Sequence, residues 1–257
     1  MGQISAVTEK MLKEFVRDKT VLLWTFAVPA FFLLIIPFIN TGSIPEEVMP
    51  GLKAFATIAM ITLLMMTACQ ANLAGSVASD TQRGLYLKMA SMPLKAWKEG
   101  IGRFFGILIF SLLGAILIAF LGLAYGARFG FNPINLLQSS CFLLLISLAS
   151  AGIGFIIASL VKGESAATHT GVALTLLTFF CGGMTVPYAT LPSALQAFAR
   201  LHPISSANAI IAFLLIGEAY AGYNPLSISQ IELTIAFSIA IFAVGLAFYT
   251  RCCWRKR

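Results

Sequence analysis

The chain has 257 residues, of which 59% are hydrophobic and only 11% are charged. A soluble domain carries roughly 45–50% apolar and about 25% charged residues, so this composition excludes a water-soluble globule and places the chain in a bilayer. The net charge of +7 does not indicate nucleic acid, because the basic residues flank apolar runs instead of forming one continuous basic face.

The chain opens on residues 1–20, which hold both apolar and charged positions. At about 100° per residue, Ile4, Val7, Met11, Leu12, Phe15 and Val16 share one side of a helix, and Lys10, Lys13 and Arg17 fall on the other. This is the pattern of an amphipathic interfacial helix held by its apolar face and by anionic headgroups; a helix packed on another protein has the same pattern. The first apolar run starts at Val21 and is followed by no small-residue cleavage site, so it reads as a retained span and not as a signal peptide.

A helix that crosses the hydrocarbon core needs about 20 largely apolar residues. Runs of that kind lie at about 21–39, 54–79, 104–127, 134–161, 165–186 and 233–250. The expected fold is an all-α membrane protein with six transmembrane helices in one permease domain, 21–257. Basic residues set its orientation, because cytoplasmic loops are rich in Lys and Arg. Of the 17, only Lys53, Arg128 and Arg200 fall on one side; the other side holds Lys10, Lys13, Arg17, Lys19, Arg83, Lys88, Lys95, Lys98, Arg103, Lys162, Arg251, Arg255, Lys256 and Arg257. Both termini are therefore expected in the cytoplasm. Small residues recur every fourth position in the third span (Ser111, Ala115, Ala119) and the fourth (Ser150, Gly154, Ala158). Such stripes allow close helix packing, or line a groove for substrate.

Between the fifth and sixth spans, residues 187–225 are too apolar for an ordinary loop, yet Pro187, Pro192 and Pro203 divide them. The apolar stretch 207–217 would reach only about 16 Å as a helix. Two short helices, 193–201 and about 206–217, would dip into the membrane and return. Backbone at that depth must be shielded by protein or face a water-filled cavity, which suits a cap on the outer mouth of a pathway.

The six spans so bounded hold no Asp, Glu, Lys or Arg, whereas proton- and ion-coupled carriers place ionisable groups at the membrane centre. His169 lies near the end of the fifth span and His202 precedes Pro203, too far apart for a metal site. Cys69, Cys141, Cys181, Cys252 and Cys253 have neither metal-ligand nor disulfide spacing and read as inert thiols. There is no H-E-x-x-H, no G-x-S-x-G and no G-x-x-x-x-G-K-[ST]. The chain is thus expected to hold no catalytic residue, and energy for uphill transport would come from a partner docked on its cytoplasmic side.

The longest cytoplasmic connection, 80–103, supplies a place for one. Leu85, Met89 and Met92 stand at i, i+4 and i+7 on one face of a short helix that Pro93 ends. Exposed apolar surface marks a contact site, although the face could equally lie on the protein's own span ends.

This loop resembles that of type-2 ABC exporter permeases, the membrane subunits of drug, lipid and polysaccharide efflux systems. Gly84, Lys88, Met89, Pro93 and Leu94 match the family pattern in order and spacing, while Leu85 and Tyr86 stand where Thr and Leu are usual. Met184-Thr185-Val186-Pro187, Leu191-Pro192, Leu195-Gln196 and His202-Pro203 are similar to the family's outer segment.

The resemblance implies a permease dimer with two separate ABC ATPase subunits beneath it, in the plasma membrane, embedded among lipids and exporting substrate near the first and fifth spans. Arg83, Gly84, Leu85, Lys88, Met89, Met92, Pro93 and Leu94 would form the ATPase-docking coupling helix. Lys162, Gly163 and Glu164 would make a second contact. Pro187, Leu191, Pro192 and Pro203 would belong to an outer gate. No cofactor is implied on this chain, since ATP and Mg would sit on the partner. The alternative reading is a secondary transporter or channel not powered by ATP.

Overall fold

The computed structural model describes residues 2–39, 45–89, 91, 94–185 and 188–254, without the side chains of 36–39. Among these residues every regular element is a helix and there is no strand. Helix α1 (Gln3–Arg17) buries Val7, Met11 and Phe15. They lie on the protein's own sixth helix: Gly102 and Gly106 leave no room there for a Cβ beside Val7 and Met11, and Phe15 stacks on Phe110 at 5.4 Å. The apolar stripe of α1 thus covers neighbouring protein, leaving Val16 outward. Asp18 ends α1 and caps α2 (Lys19–Ile39), accepting from the amides of Thr20 and Val21 at 3.0 and 3.1 Å. The two helices meet at 74°.

α3 (Met49–Met66), a π-helical turn at Thr67–Asn72 and α4 (Leu73–Gln82) form one continuous rod through the centre. A π turn carries an extra residue per turn and bulges. Two glycines accept the bulge: a Cβ on Gly154 would meet the Cys69 carbonyl oxygen at 2.4 Å, and one on Gly171 the Ala71 Cα at 2.5 Å. Asn72 donates to Thr25 at 2.8 Å, and Thr175 to Gln70 at 3.2 Å. α2 and a later helix are thereby pinned to the bulge.

A short α5 (Leu85–Met89) precedes α6 (Ala96–Ala124). Asn132 caps α7 (Pro133–Leu160), with Pro133 at its first position. α8 (Glu164–Cys181) packs Ala167, Gly171, Thr175 and Thr178 inward. α9 (Ser193–Leu201) and α10 (Pro203–Ile216) meet at 88° where Pro203 starts a new helix, so the expected pair of short helices is present. α10 is nevertheless deeply buried, with Thr62 donating to Asn208 at 2.8 Å and Ser206 bonded to Thr234 at 2.7 Å. A one-turn α11 (Glu218–Ala221) leads to α12 (Ile228–Cys252).

Four stretches are long and apolar enough to cross a membrane: Met49–Gln82, Ala96–Ala124, Pro133–Leu160 and Ile228–Cys252; counting each bent pair, α1 with α2 and α9 with α10, as one span gives up to six. The chain is therefore an all-α membrane protein. α8, read from sequence as the fifth span, is not among the four, because Glu164, Thr168, His169 and Thr170 dilute its first two turns.

α12 lies along α7 through two glycines whose backbones nearly touch. A Cβ on Gly245 would stand 2.2 Å from the Gly152 carbonyl oxygen. Gly245→Val is expected to cost about 1–3 kcal/mol, the range for forced overpacking, read as a lower melting temperature of the purified protein in detergent. An unchanged melting temperature would mean that the two helices can part without penalty.

Candidate functional site

The expected docking segments gather at the end of the molecule that holds α1 and the end of α12. After α4, Arg83 closes the helix and Gly84 turns the chain with φ +68°, a left-handed value that glycine adopts without a Cβ clash. In α5, Tyr86 points inward, Leu85 and Met89 are half-buried, and Leu87 and Lys88 face outward. Leu87 is 64% exposed. Among the described residues of the loop, the most exposed apolar group is thus Leu87, while Leu85 and Met89 of the expected face are half-buried. With only five residues, α5 shows the protein interior one side chain and its surroundings the next. Arg83 is exposed and Leu94 half-buried; Met92 and Pro93 lie outside the described residues.

The second segment adjoins the first. Lys162 and Glu164 are exposed, Gly163 turns at φ +105°, and the Glu164 amide donates to the Gln82 side chain at 3.4 Å. Gly84, Tyr86, Leu87, Lys162, Gly163 and Trp254 line one cavity of about 620 Å³. Two loops some eighty positions apart in sequence therefore present a joint surface.

Beneath it lies a buried ionic cluster that the sequence reading placed in a loop. α4 runs to Gln82 and α6 starts at Ala96, so Asp80, Glu99 and Arg103 stand on helices and not within a solvated connection. All three lie just beyond the apolar runs 54–79 and 104–127, which themselves hold no Asp, Glu, Lys or Arg; the helices extend past those runs into charged sequence. Arg103 is wholly buried. It donates to Glu99 at 2.5 Å, to Ser76 at 3.2 Å and to Asp80. Lys10 of α1 reaches the same Asp80 at 3.1 Å. Tyr249 of α12 donates to Glu99 and is hydrogen-bonded to the Tyr86 hydroxyl at 3.1 Å, and Trp254 donates to Tyr249 at 3.2 Å. The Tyr86 ring lies 5.6 Å from the Arg103 guanidinium. Two cations thus face two carboxylates, the pairing that buried charges require. The cluster joins α1, α4, α5, α6 and α12, and Tyr86 is the docking segment's own contact with it. Burial raises the Tyr86 phenol well above its ordinary range, so it stays a neutral donor and acceptor.

The expected gate residues are less tightly grouped. Leu191 is buried beside Tyr188 and Ala199, Pro192 caps α9, and Pro203 begins α10 at the bend; Pro187 lies outside the described residues. Arg200 stacks over Tyr188 and Tyr223 at 5.2 and 5.0 Å, closing this corner. Among the described residues no cluster of His, Cys, Asp and Glu could hold a metal. All five cysteines are free, and burial pushes the Cys253 thiol up to about 11, away from reactive thiolate.

The family model for ABC-2 type transporters matches residues 2–216, from α1 to the end of α10. The chain belongs to the ABC-2 type transporter family. It is a transport permease component, not a catalytic chain, and family membership implies an ABC ATPase as partner. Comparison with curated proteins gives no match. The docking set drawn from the sequence leaves out outward Leu87 and inward Tyr86, and nothing in it anticipates the ionic cluster of the permease. The spacing of Glu99 and Arg103, i and i+4, was the available signal for a helix beginning before residue 104.

Proposed function

We propose that this permease is the membrane path of an ATP-driven exporter, with a separate ABC ATPase seated on the surface formed by α5 and Lys162–Glu164. The observation that carries the reading is the convergence of those two segments on one cavity. There exposed Leu87 offers an apolar anchor, Lys162 and Arg251 line the same cavity, and exposed Arg83 and Lys88 flank Leu87 along the chain. An ATPase surface of opposite charge would be steered to it and then held by apolar burial. Tyr86 would carry motion of α5 into the ionic cluster, and so to four further helices. Two copies would form the path, with α2 and α8 at its centre and α9–α10 closing the outer side. In this arrangement α2, the α3–α4 rod, α6, α7, α8 and α12 are six spans of the plasma membrane, with both termini cytoplasmic. Substrate leaves the cell, and ATP and Mg stay on the partner.

Orientation is tested by single cysteines in a background lacking the native five. Lys13 is well exposed on α1, and Asn224 is exposed beyond α11. Asn224→Cys is expected to react with an impermeant maleimide on intact cells, and Lys13→Cys only after the membrane is opened. Reversed labelling would place the docking surface outside the cell, where no ATP-driven partner could act.

A further inference from the structure

A cavity of about 540 Å³ opens between α3, α6, α7 and α10, far from the docking surface. Ile58, Leu112, Ala119, Leu143 and Ile211 line it, and Ser139 and Ser140 are the only polar side chains among the described residues around it. Its rim carries Ile116, Leu123, Leu136 and Leu144, all strongly exposed on the bundle's side. The volume suits a ligand, yet the walls give a polar molecule almost nothing to bond.

The cavity does not end in hydrocarbon. Phe129 and Leu215 also line a second cavity of about 520 Å³ at the end of the bundle opposite α1, and that one holds Arg128 and Glu47. The loop here is fixed by main-chain bonds, from Arg128 to Pro50 at 3.2 Å and from Gly130 to Leu215 at 2.7 Å. Neither the Arg128 nor the Glu47 side chain forms an ion pair among the described residues. An apolar chamber thus adjoins, across Phe129 and Leu215, a mouth in which Arg128 and Glu47 have no ion-pair partner among the described residues.

We propose that these two adjoining cavities bind one phospholipid, an acyl chain in the apolar chamber, its phosphate on Arg128 and a headgroup ammonium toward Glu47. Three features point to this occupant. The chamber faces lipid and, apart from the Ser139 and Ser140 hydroxyls, is walled by hydrocarbon, so a strongly polar or charged group there would lose most of its hydrogen bonds. A guanidinium is the side chain best shaped for phosphate. Glu47 in the same mouth opposes a headgroup with further negative charge and favours one that carries an ammonium. Ethanolamine phospholipid meets all three conditions; a free phosphate has no use for the chamber, and a diacylglycerol none for the mouth.

The test is native mass spectrometry of the purified full-length permease released from micelles holding equal amounts of dioleoyl phosphatidylethanolamine, dioleoyl phosphatidylglycerol and dioleoylglycerol. One phosphatidylethanolamine is expected to stay bound. Arg128→Gln should cut its retention about tenfold, as loss of a charged hydrogen bond does, and Glu47→Gln should let phosphatidylglycerol compete. Ala119→Phe, which fills the chamber, should remove the lipid, and so should Ser140→Trp, introduced from an exposed position that folding does not depend on. Three results would overturn the proposal: dioleoylglycerol retained as well as phosphatidylethanolamine, no loss with Arg128→Gln, or displacement of the lipid by excess inorganic phosphate. No ATPase is present in this measurement, so its outcome leaves the docking reading where it stands.

Discussion

Replacing Arg103 by Met is expected to destabilise the permease by about 3–5 kcal/mol, the cost of leaving buried charge without its partner. The guanidinium has no exposed surface and bonds to Glu99, Asp80 and Ser76 at once. Without it, Glu99 keeps only the Tyr249 hydroxyl, and Asp80 keeps Lys10, whose side chain is nearly half exposed. The effect would be read as loss of protein from the membrane fraction and a lower melting temperature in detergent. Removing the carboxylates as well, in Arg103→Met with Asp80→Asn and Glu99→Gln, is expected to recover most of the loss, because a neutral cluster of similar volume has no uncompensated charge. A triple variant as unstable as the single one would show that Arg103 acts by filling space.

Leu87→Asp is expected to weaken ATPase binding at least tenfold while leaving the permease folded. A large apolar side chain buried at an interface contributes about 1.5–3 kcal/mol, and every 1.4 kcal/mol is a factor of ten. Leu87 is 64% exposed, and substitutions at such positions move stability by about 0.5 kcal/mol or less. Met89→Asp is less clean, since Met89 is half-buried and its loss would disturb the loop itself. Gly84→Val should act through the backbone: nothing stands within 4 Å of an added Cβ, but φ is +68°, a conformation that costs other residues roughly 1–2 kcal/mol. Asn224→Ala, at the opposite end, serves as the control. The readings are the ATPase co-purified with each variant and the hydrolysis that substrate stimulates.

Much of this architecture was legible in the sequence, and the parts that were not share a cause. The apolar runs at 54–79, 134–161 and 233–250 lie within helices of the fold, and α9 occupies residues 193–201 as expected, because proline marks a helix boundary whatever the surroundings. Charge in the sequence marks the end of an apolar run, which places the third span at 104, whereas α6 begins at Ala96. That rule fails where charges neutralise one another: Glu99 and Arg103 share a helix face and form a pair that can be buried. The π turn at Thr67–Asn72 had no local signal, since its geometry is set by Gly154 and Gly171 on other helices. The stripe on α1 was read correctly as a stripe, but a stripe does not name what covers it, and here that is α6. Likewise the periodicity of residues 85–92 gives a helical face but not its exposure, because the inward turn of Tyr86, and hence the outward turn of Leu87, depends on Tyr249 and Trp254 more than 160 positions away.

Whether an ABC ATPase sits on α5 is tested most directly by a photo-reactive amino acid at position 87 in living cells. Illumination is expected to give a crosslinked product between the permease and a protein bearing the G-x-x-x-x-G-K-[ST] loop of an ATPase, with none formed from position 224. A permease that functions with the probe in place, yet joins at position 87 only to lipid or to its own chain, would mean that no ATPase is seated there.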